Sequence, residues 1–151
     1  MFTNKTLSIY TDGACSGNPG KGGWAFVIIN DKEGVVHQNS DKSDYTTNNI
    51  MEMTAVVEGL KYIIKNFNKE DNIIKIYTDS TYVKNGITSW IKNWKLNNWK
   101  TASRKDVKNK EIWIEIDNLS KQIKNIEWLW VKAHNGNKFN ELVDSLARSK
   151  C

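Results

Sequence analysis

Apolar and polar positions alternate along residues 5–12, KTLSIYTD, the period of a half-buried strand. WAFVIIN at 24–30 and VVHQNS at 35–40 predict two further strands, joined by the turn-forming DKEG of residues 31–34. Between the first two lies GACSGNPGKGG, residues 13–23, whose five glycines and the chain's single proline predict a tight turn region. The chain therefore opens as a three-stranded antiparallel meander. From Thr46 to Phe67 the apolar residues shift to helical spacing, with Thr and Asn at the start as N-caps. NIIKIYTDS at 72–80 is a strand with a continuous apolar run, the pattern of one buried on both faces. STYVKNGITSWIKNW, from residue 80, predicts two short helical pieces broken near Gly86, and residues 96–105 are irregular and polar. A helix is expected from Asp106 to residue 123, a strand over 126–133, a loop AHNGNK, and a last helix over 139–150.

The order βββ-α-β-α-α-β-α describes an α/β protein, a mixed sheet with helices on its faces. The long helix before residues 72–80 suits a right-handed crossover that lays this strand parallel to the first. As neighbours about 4.8 Å apart, the two would end their copies of IYTD, residues 9–12 and 76–79, side by side. Asp12 would then meet Asp79. Like charges that close repel, and a proton or a cation must relieve them. The competing reading has each Asp cap the helix or turn next in the chain, which suits Asp79 better than Asp12, since a glycine-rich turn comes after Asp12.

Glu52 favours the first reading. It shares a helical stripe with Val56, Gly59 and Ile63, and this small, apolar stripe is expected to face the sheet. A carboxylate buried there needs a partner. Asp144 lies in mid-helix between Val143 and Leu146 and, taken singly, fits a solvated face. Together the four acids make an oxygen-only set suited to Mg²⁺. Cys and His are too scarce for zinc.

Charge extends this picture. Lys and Arg number 22 against 17 Asp and Glu, a net charge of +5 that favours a polyanionic partner. Eight of the basic residues, against the single acid Asp106, fall between Lys84 and Lys110, with Trp90, Trp94 and Trp99 threaded among them. Lysines can neutralise phosphates and aromatic rings can pack on sugars, although Trp90 and Trp94, four apart, also fit a core stripe. The only cysteines, Cys15 and Cys151, form no disulfide framework, which fits a reducing cytoplasm. No stretch is long and apolar enough to span a bilayer, and the start runs into strand-like sequence without a signal-peptide pattern. A chain of 151 residues is most simply one domain, 1–151, and a monomer is expected.

YTDG at 10–13, GNPG at 17–20, TTNNIME at 46–52, YTDS at 77–80, and VKAHNGN with NELVDSLA across 131–147 resemble ribonuclease H type 1, in the family's order and over essentially the whole chain. The resemblance implies a five-stranded mixed sheet, three antiparallel strands followed by parallel ones, flanked by helices. It implies an endonuclease that hydrolyses the RNA strand of RNA–DNA hybrids with two Mg²⁺ ions (Mn²⁺ able to substitute), leaving 5′-phosphate and 3′-hydroxyl ends. The matching positions make Asp12, Glu52, Asp79 and Asp144 the metal ligands and His134 the loop histidine that moves protons or releases product. An unperturbed histidine pKa suits proton traffic. Ala133 stands where the family usually carries glycine, which implies a stiffer loop. By the same resemblance Cys15, Asn18, Asn48 and Asn49 contact the hybrid's minor groove, Thr47 and Asn109 hold a DNA phosphate, and Trp90 lines the DNA-strand channel. Asn18 as a turn former, and Asn48 and Asn49 as helix caps, are the plainer alternatives. The early first strand implies a free-standing enzyme without an N-terminal hybrid-binding domain. A module that binds hybrids without cutting them, a DNA nuclease or integrase-like relative of the same fold, and a domain cut from a reverse transcriptase stay open.

Overall fold

The computed structural model describes residues 5–67, 72–132 and 137–151. Five strands form one sheet in the order β3-β2-β1-β4-β5: β1 Lys5–Cys15, β2 Gly20–Asn30, β3 Gly34–Thr46, β4 Asn72–Thr78 and β5 Asn125–Trp130. β3, β2 and β1 pair antiparallel, and β4 and β5 continue parallel to β1. The meander and the crossover are both as expected from the periodicity. Ile9 faces Ile76, Tyr10 faces Tyr77 and Thr11 faces Thr78, so the two IYTD segments pair residue by residue.

Alternation along the strands supplies both cores. Leu7, Ile9, Phe26, Ile28, Ile74 and Ile76 pack under α1 (Asn48–Asn66) and α4 (Lys110–Ser120), with Trp113 fully buried. Tyr10, Ala25, Val27 and Ile29 point the other way, against Val143 and Ala147 of α5 (Lys138–Arg148). Each fully buried aliphatic side chain contributes roughly 1.5–3 kcal/mol. α1 begins at Thr47, whose hydroxyl accepts from the Ile50 N–H at 3.2 Å and caps the helix. β4 alternates between buried and half-buried positions, so its second face is covered less completely than a continuous apolar run predicts.

Five boundaries differ from the expected ones. The glycine-rich segment is mostly strand: Gly13, Ala14 and Cys15 pair with Trp24, Gly23 and Gly22, and only residues 16–19 turn. The glycines serve close packing, because a Cβ on Gly13 would sit 2.3 Å from the Glu52 backbone nitrogen and one on Gly22 2.5 Å from Thr46 Cγ2. β3 runs to Thr46, six residues past the expected end at Ser40, because pairing with β2 continues through two irregularities in register. Gly86 does not break its helix: α2 (Thr81–Asn85) passes through a π-helical turn (Gly86–Trp90) into α3 (Ile91–Leu96). There the Trp113 ring lies where a Cβ would be, 2.0 Å away. α4 starts at Lys110 rather than Asp106, after Asn109 adopts a left-handed φ of 60°. β5 ends at Trp130, short of residue 133, and residue 133 lies outside the described residues.

Candidate active site

The parallel pairing of β1 with β4 brings Asp12 and Asp79 to the same end of the sheet, one residue beyond Thr11 and Thr78. Glu52 arrives from the second turn of α1, which Gly13 allows to lie directly on β1. Carboxylate oxygens of Asp12, Glu52 and Asp79 all lie within 4.8 Å of one another. Asp12 is 4% exposed, and the other two are half-buried. Asp144 comes from mid-α5, is hydrogen-bonded to Asp12, and takes Arg148 Nη2 at 2.9 Å on its Oδ2. Its charge also bears on Asp79.

Crowding and burial set the protonation. Desolvation, then the charges of Glu52 and Asp79, push Asp12 up to about 11. Desolvation raises Glu52 to about 7, opposed by hydrogen bonds from Asp12, the Gly13 N–H and the Ser80 hydroxyl. Burial also raises Asp79, opposed by hydrogen bonds from the Asn140 amide and from Asp12. Without a cation, these groups remain tolerable together only by retaining protons. Three converging carboxylates with no nitrogen or sulfur among them are the donor set of a hard divalent cation. The residues fit such an ion.

Two supporting residues lie inside the YTDS and NELVDSLA motifs but receive no role from the sequence. Asn140 is 3% exposed, donates to Asp79, and leaves its own Oδ1 without a partner among the described residues. Ser80 caps α2 by accepting from the Val83 N–H at 3.1 Å, while its hydroxyl serves Glu52. Asn near a helix start and Ser after a strand are ordinary capping residues, which hides the second task.

The expected substrate contacts fall into two groups. Asn18 Oδ1 accepts from the Asn48 N–H at 3.1 Å, and Cys15 Sγ donates to the Thr46 carbonyl at 3.3 Å. These bonds gather Cys15, Asn18, Thr47 and Asn48 where β1 and β3 end and α1 begins. Asn49 follows in the first turn of α1, half-buried, and the cap itself is Thr47 rather than either asparagine. In the second group Asn109 donates to the Tyr82 hydroxyl at 3.2 Å, and Trp90 packs edge-on to Tyr82 at 5.6 Å and against Trp94 at 5.7 Å. Of the basic residues from 84 to 110, Lys95, Lys100 and Lys110 are ion-paired, and Lys84 lies over the Trp130 ring at 5.4 Å. Ala133 and His134 lie outside the described residues.

A mixed five-stranded sheet that collects acids at the carboxyl ends of its two central parallel strands defines a class of α/β protein with a catalytic or metal-binding edge. The sequence model of the family described as RNase H matches residues 4–151, and the chain belongs to that family. It is 52% identical over 152 residues to the Ribonuclease H of Wolbachia sp. subsp. Drosophila simulans (strain wRi), covering 97% of this chain and 96% of that protein. The crystal structure of LC9-RNase H1, a type 1 RNase H with the type 2 active-site motif, superposes with a TM-score of 0.83 at 26% identity, over 99% of this chain and 73% of that one. LC11-RNase H1 in complex with an RNA/DNA hybrid has the same fold, with a TM-score of 0.74 at 23% identity, over 95% and 94% of the two chains.

Proposed function

We propose that this protein is an endonuclease that hydrolyses the RNA strand of RNA–DNA hybrids at a site of two Mg²⁺ ions, leaving 5′-phosphate and 3′-hydroxyl ends. The observation that carries the reading is the convergence of Asp12, Glu52 and Asp79 within 4.8 Å, in a chain of the RNase H family. Bound there, divalent ions supply the Lewis acidity that activates a water and stabilises the leaving 3′ oxygen. The protein's part is to hold the carboxylates in place and orient the duplex. Asp12, central to the cluster and in hydrogen-bonding contact with Glu52, Asp79 and Asp144, fixes the geometry of the whole set. Water adds to the scissile phosphorus, the P–O3′ bond breaks, and the departing oxygen takes a proton, for which His134 is the nearest-to-neutral side chain in the matching motif.

Cys15, Asn18, Asn48 and Asn49 supply polar groups for the minor groove, where the 2′-hydroxyl marks the RNA strand. Thr47 and Asn109 hold a DNA phosphate, and Trp90 lines the path of the DNA strand. Recognition by shape and backbone gives no sequence specificity. Digestion of a labelled hybrid with Mg²⁺, with Mn²⁺ and with EDTA, beside single-stranded and duplex DNA controls, tests the reading. RNA-strand cleavage in either metal and none in EDTA is expected. Cleavage that survives EDTA, equal cutting of duplex DNA, or tight binding without cleavage overturns it. Asp12→Asn is expected to bind hybrid and cut almost none; His134→Ala is expected to be slowed, not silenced.

A further inference from the structure

Beside the carboxylates, the same end of the sheet carries a second feature. A cavity of about 170 Å³ opens where β2, β3 and the end of α5 meet, lined by Lys21, Lys42, Ser43, Asp44, Lys150 and Cys151. The three lysines are exposed, and none forms an ion pair among the described residues. Lys61, Lys95, Lys100, Lys110 and Lys121, by contrast, all sit within 4 Å of a carboxylate oxygen. Three ammonium groups against the one lining side-chain carboxylate, Asp44, which pairs with none of them within 4 Å, leave a net positive field that favours an anion.

Their backbone positions are fixed by packing. The Lys21 carbonyl accepts from the Ser16 N–H at 2.8 Å and the Ser16 hydroxyl at 3.1 Å, closing the turn that carries Asn18. Lys42 lies opposite Gly23 in the β2–β3 register. At Gly23 a Cβ would come 2.3 Å from the Ala147 carbonyl and 2.5 Å from Lys150 Cβ, so the end of α5 rests directly on β2. Gly23 thus seats the two lysines from neighbouring elements, and Lys21 precedes it by two residues.

We propose that Lys21, Lys42 and Lys150 form a phosphate-binding subsite for the backbone of the hybrid duplex, outside the catalytic cluster and continuous with the contacts at Asn18. The proposal rests on the reading of this chain as a hybrid nuclease. Its spacing suits that substrate. From Asp12, paired with Ala25, to Cys15, paired with Gly22, the strands advance three residues, about 10 Å. Lys21 is one residue further. A duplex laid along this direction, advancing about 3.4 Å per nucleotide of each strand, would place the subsite roughly three or four nucleotides from the scissile phosphate.

The triple variant Lys21→Gln/Lys42→Gln/Lys150→Gln tests this against Lys32→Gln/Lys65→Gln/Lys124→Gln, which removes the same charge at the opposite end of the sheet. Steady-state cleavage and fluorescence anisotropy of a labelled hybrid about 20 base pairs long, several times the spacing to the subsite, are measured across a salt series. The first variant is expected to raise KM and the dissociation constant about five- to tenfold with kcat within twofold, and to lower the salt slope by about two. The second is expected to stay within twofold throughout, and replacing the three lysines by arginine is expected to restore affinity. Equal effects of the two glutamine variants, or a fall in kcat at unchanged KM, overturn the subsite. Should the unaltered chain bind hybrid without cutting it, anisotropy still decides the subsite while the nuclease reading alone falls.

Discussion

Asn140 shows how much of this site depends on groups that are not acids. Its amide donates to Asp79 from a position almost wholly removed from solvent, and its carbonyl oxygen finds no donor among the described residues. Groups that orient a metal ligand from behind typically change metal affinity or activity by about 10–100-fold when removed. Asn140→Ala is therefore expected to weaken Mg²⁺ binding by about that factor in calorimetric titration, while circular dichroism of the metal-free protein stays that of the parent. An unchanged Mg²⁺ affinity would mean that Asn140 serves packing alone. Ser80→Ala removes both a helix cap and a donor to Glu52, and a loss of about 1 kcal/mol from the cap alone is expected in urea unfolding. The convergence of Asp12, Glu52 and Asp79 was legible in the sequence because a carboxylate in an apolar stripe or at paired strand ends demands an explanation, whereas Asp144 alone fits a solvated face and entered only with the set. Asn140 and Ser80 were not legible, since capping already explains an Asn or Ser at such positions, and for Ser80 that explanation is also true.

At the scale of elements, the site is set by how closely α1 approaches β1. The contact is made through Gly13, where an added Cβ would meet the Glu52 nitrogen at 2.3 Å and Met51 Cβ at 2.7 Å. Backbone cannot yield as a flexible side chain does, so α1 must move. Gly13→Ala is expected to destabilise the fold by about 1–3 kcal/mol and, by displacing Glu52, to weaken Mg²⁺ binding as well. A variant that loses stability in urea but binds Mg²⁺ like the parent would separate the two effects and refute the coupling. The same residue shows why part of the fold could not be read from sequence. A cluster of glycines signals turns when judged locally, yet Gly13, Gly22 and Gly23 lie in strands whose neighbours leave no room for a side chain. Gly86 misleads in the same way, marking contact with Trp113 rather than a helix break. Hydrophobic periodicity is a property of one segment and gave the strands, the crossover and α1. Close approach is a property of two segments, and single-segment patterns do not contain it.

For the whole molecule, the clustered acids link stability to pH and to divalent ions. Asp12 at about 11, Glu52 at about 7 and the raised Asp79 hold protons in the folded protein that the unfolded chain releases near pH 4. The folded state thus binds more protons across that interval, and stability must fall as pH rises. The contribution is fully present below about pH 4 and erodes upward through the folded values. A divalent ion reverses the balance, because it binds the deprotonated carboxylates of the folded site and stabilises by about 1.4 kcal/mol at ten times its dissociation constant. For a domain of this size that is roughly 3–6 °C in Tm. In EDTA, Tm is therefore expected to decline from pH 5 to pH 9, and Mg²⁺ to recover more of it at pH 8 than at pH 5. Asp12→Asn removes the most perturbed group, so its EDTA profile should be flatter, its Tm at pH 8 higher than the parent's, and its gain from Mg²⁺ smaller. Scanning calorimetry of both proteins across this range decides the point. A parent Tm that climbs through the same window in EDTA would show that the acids do not crowd one another as their geometry requires.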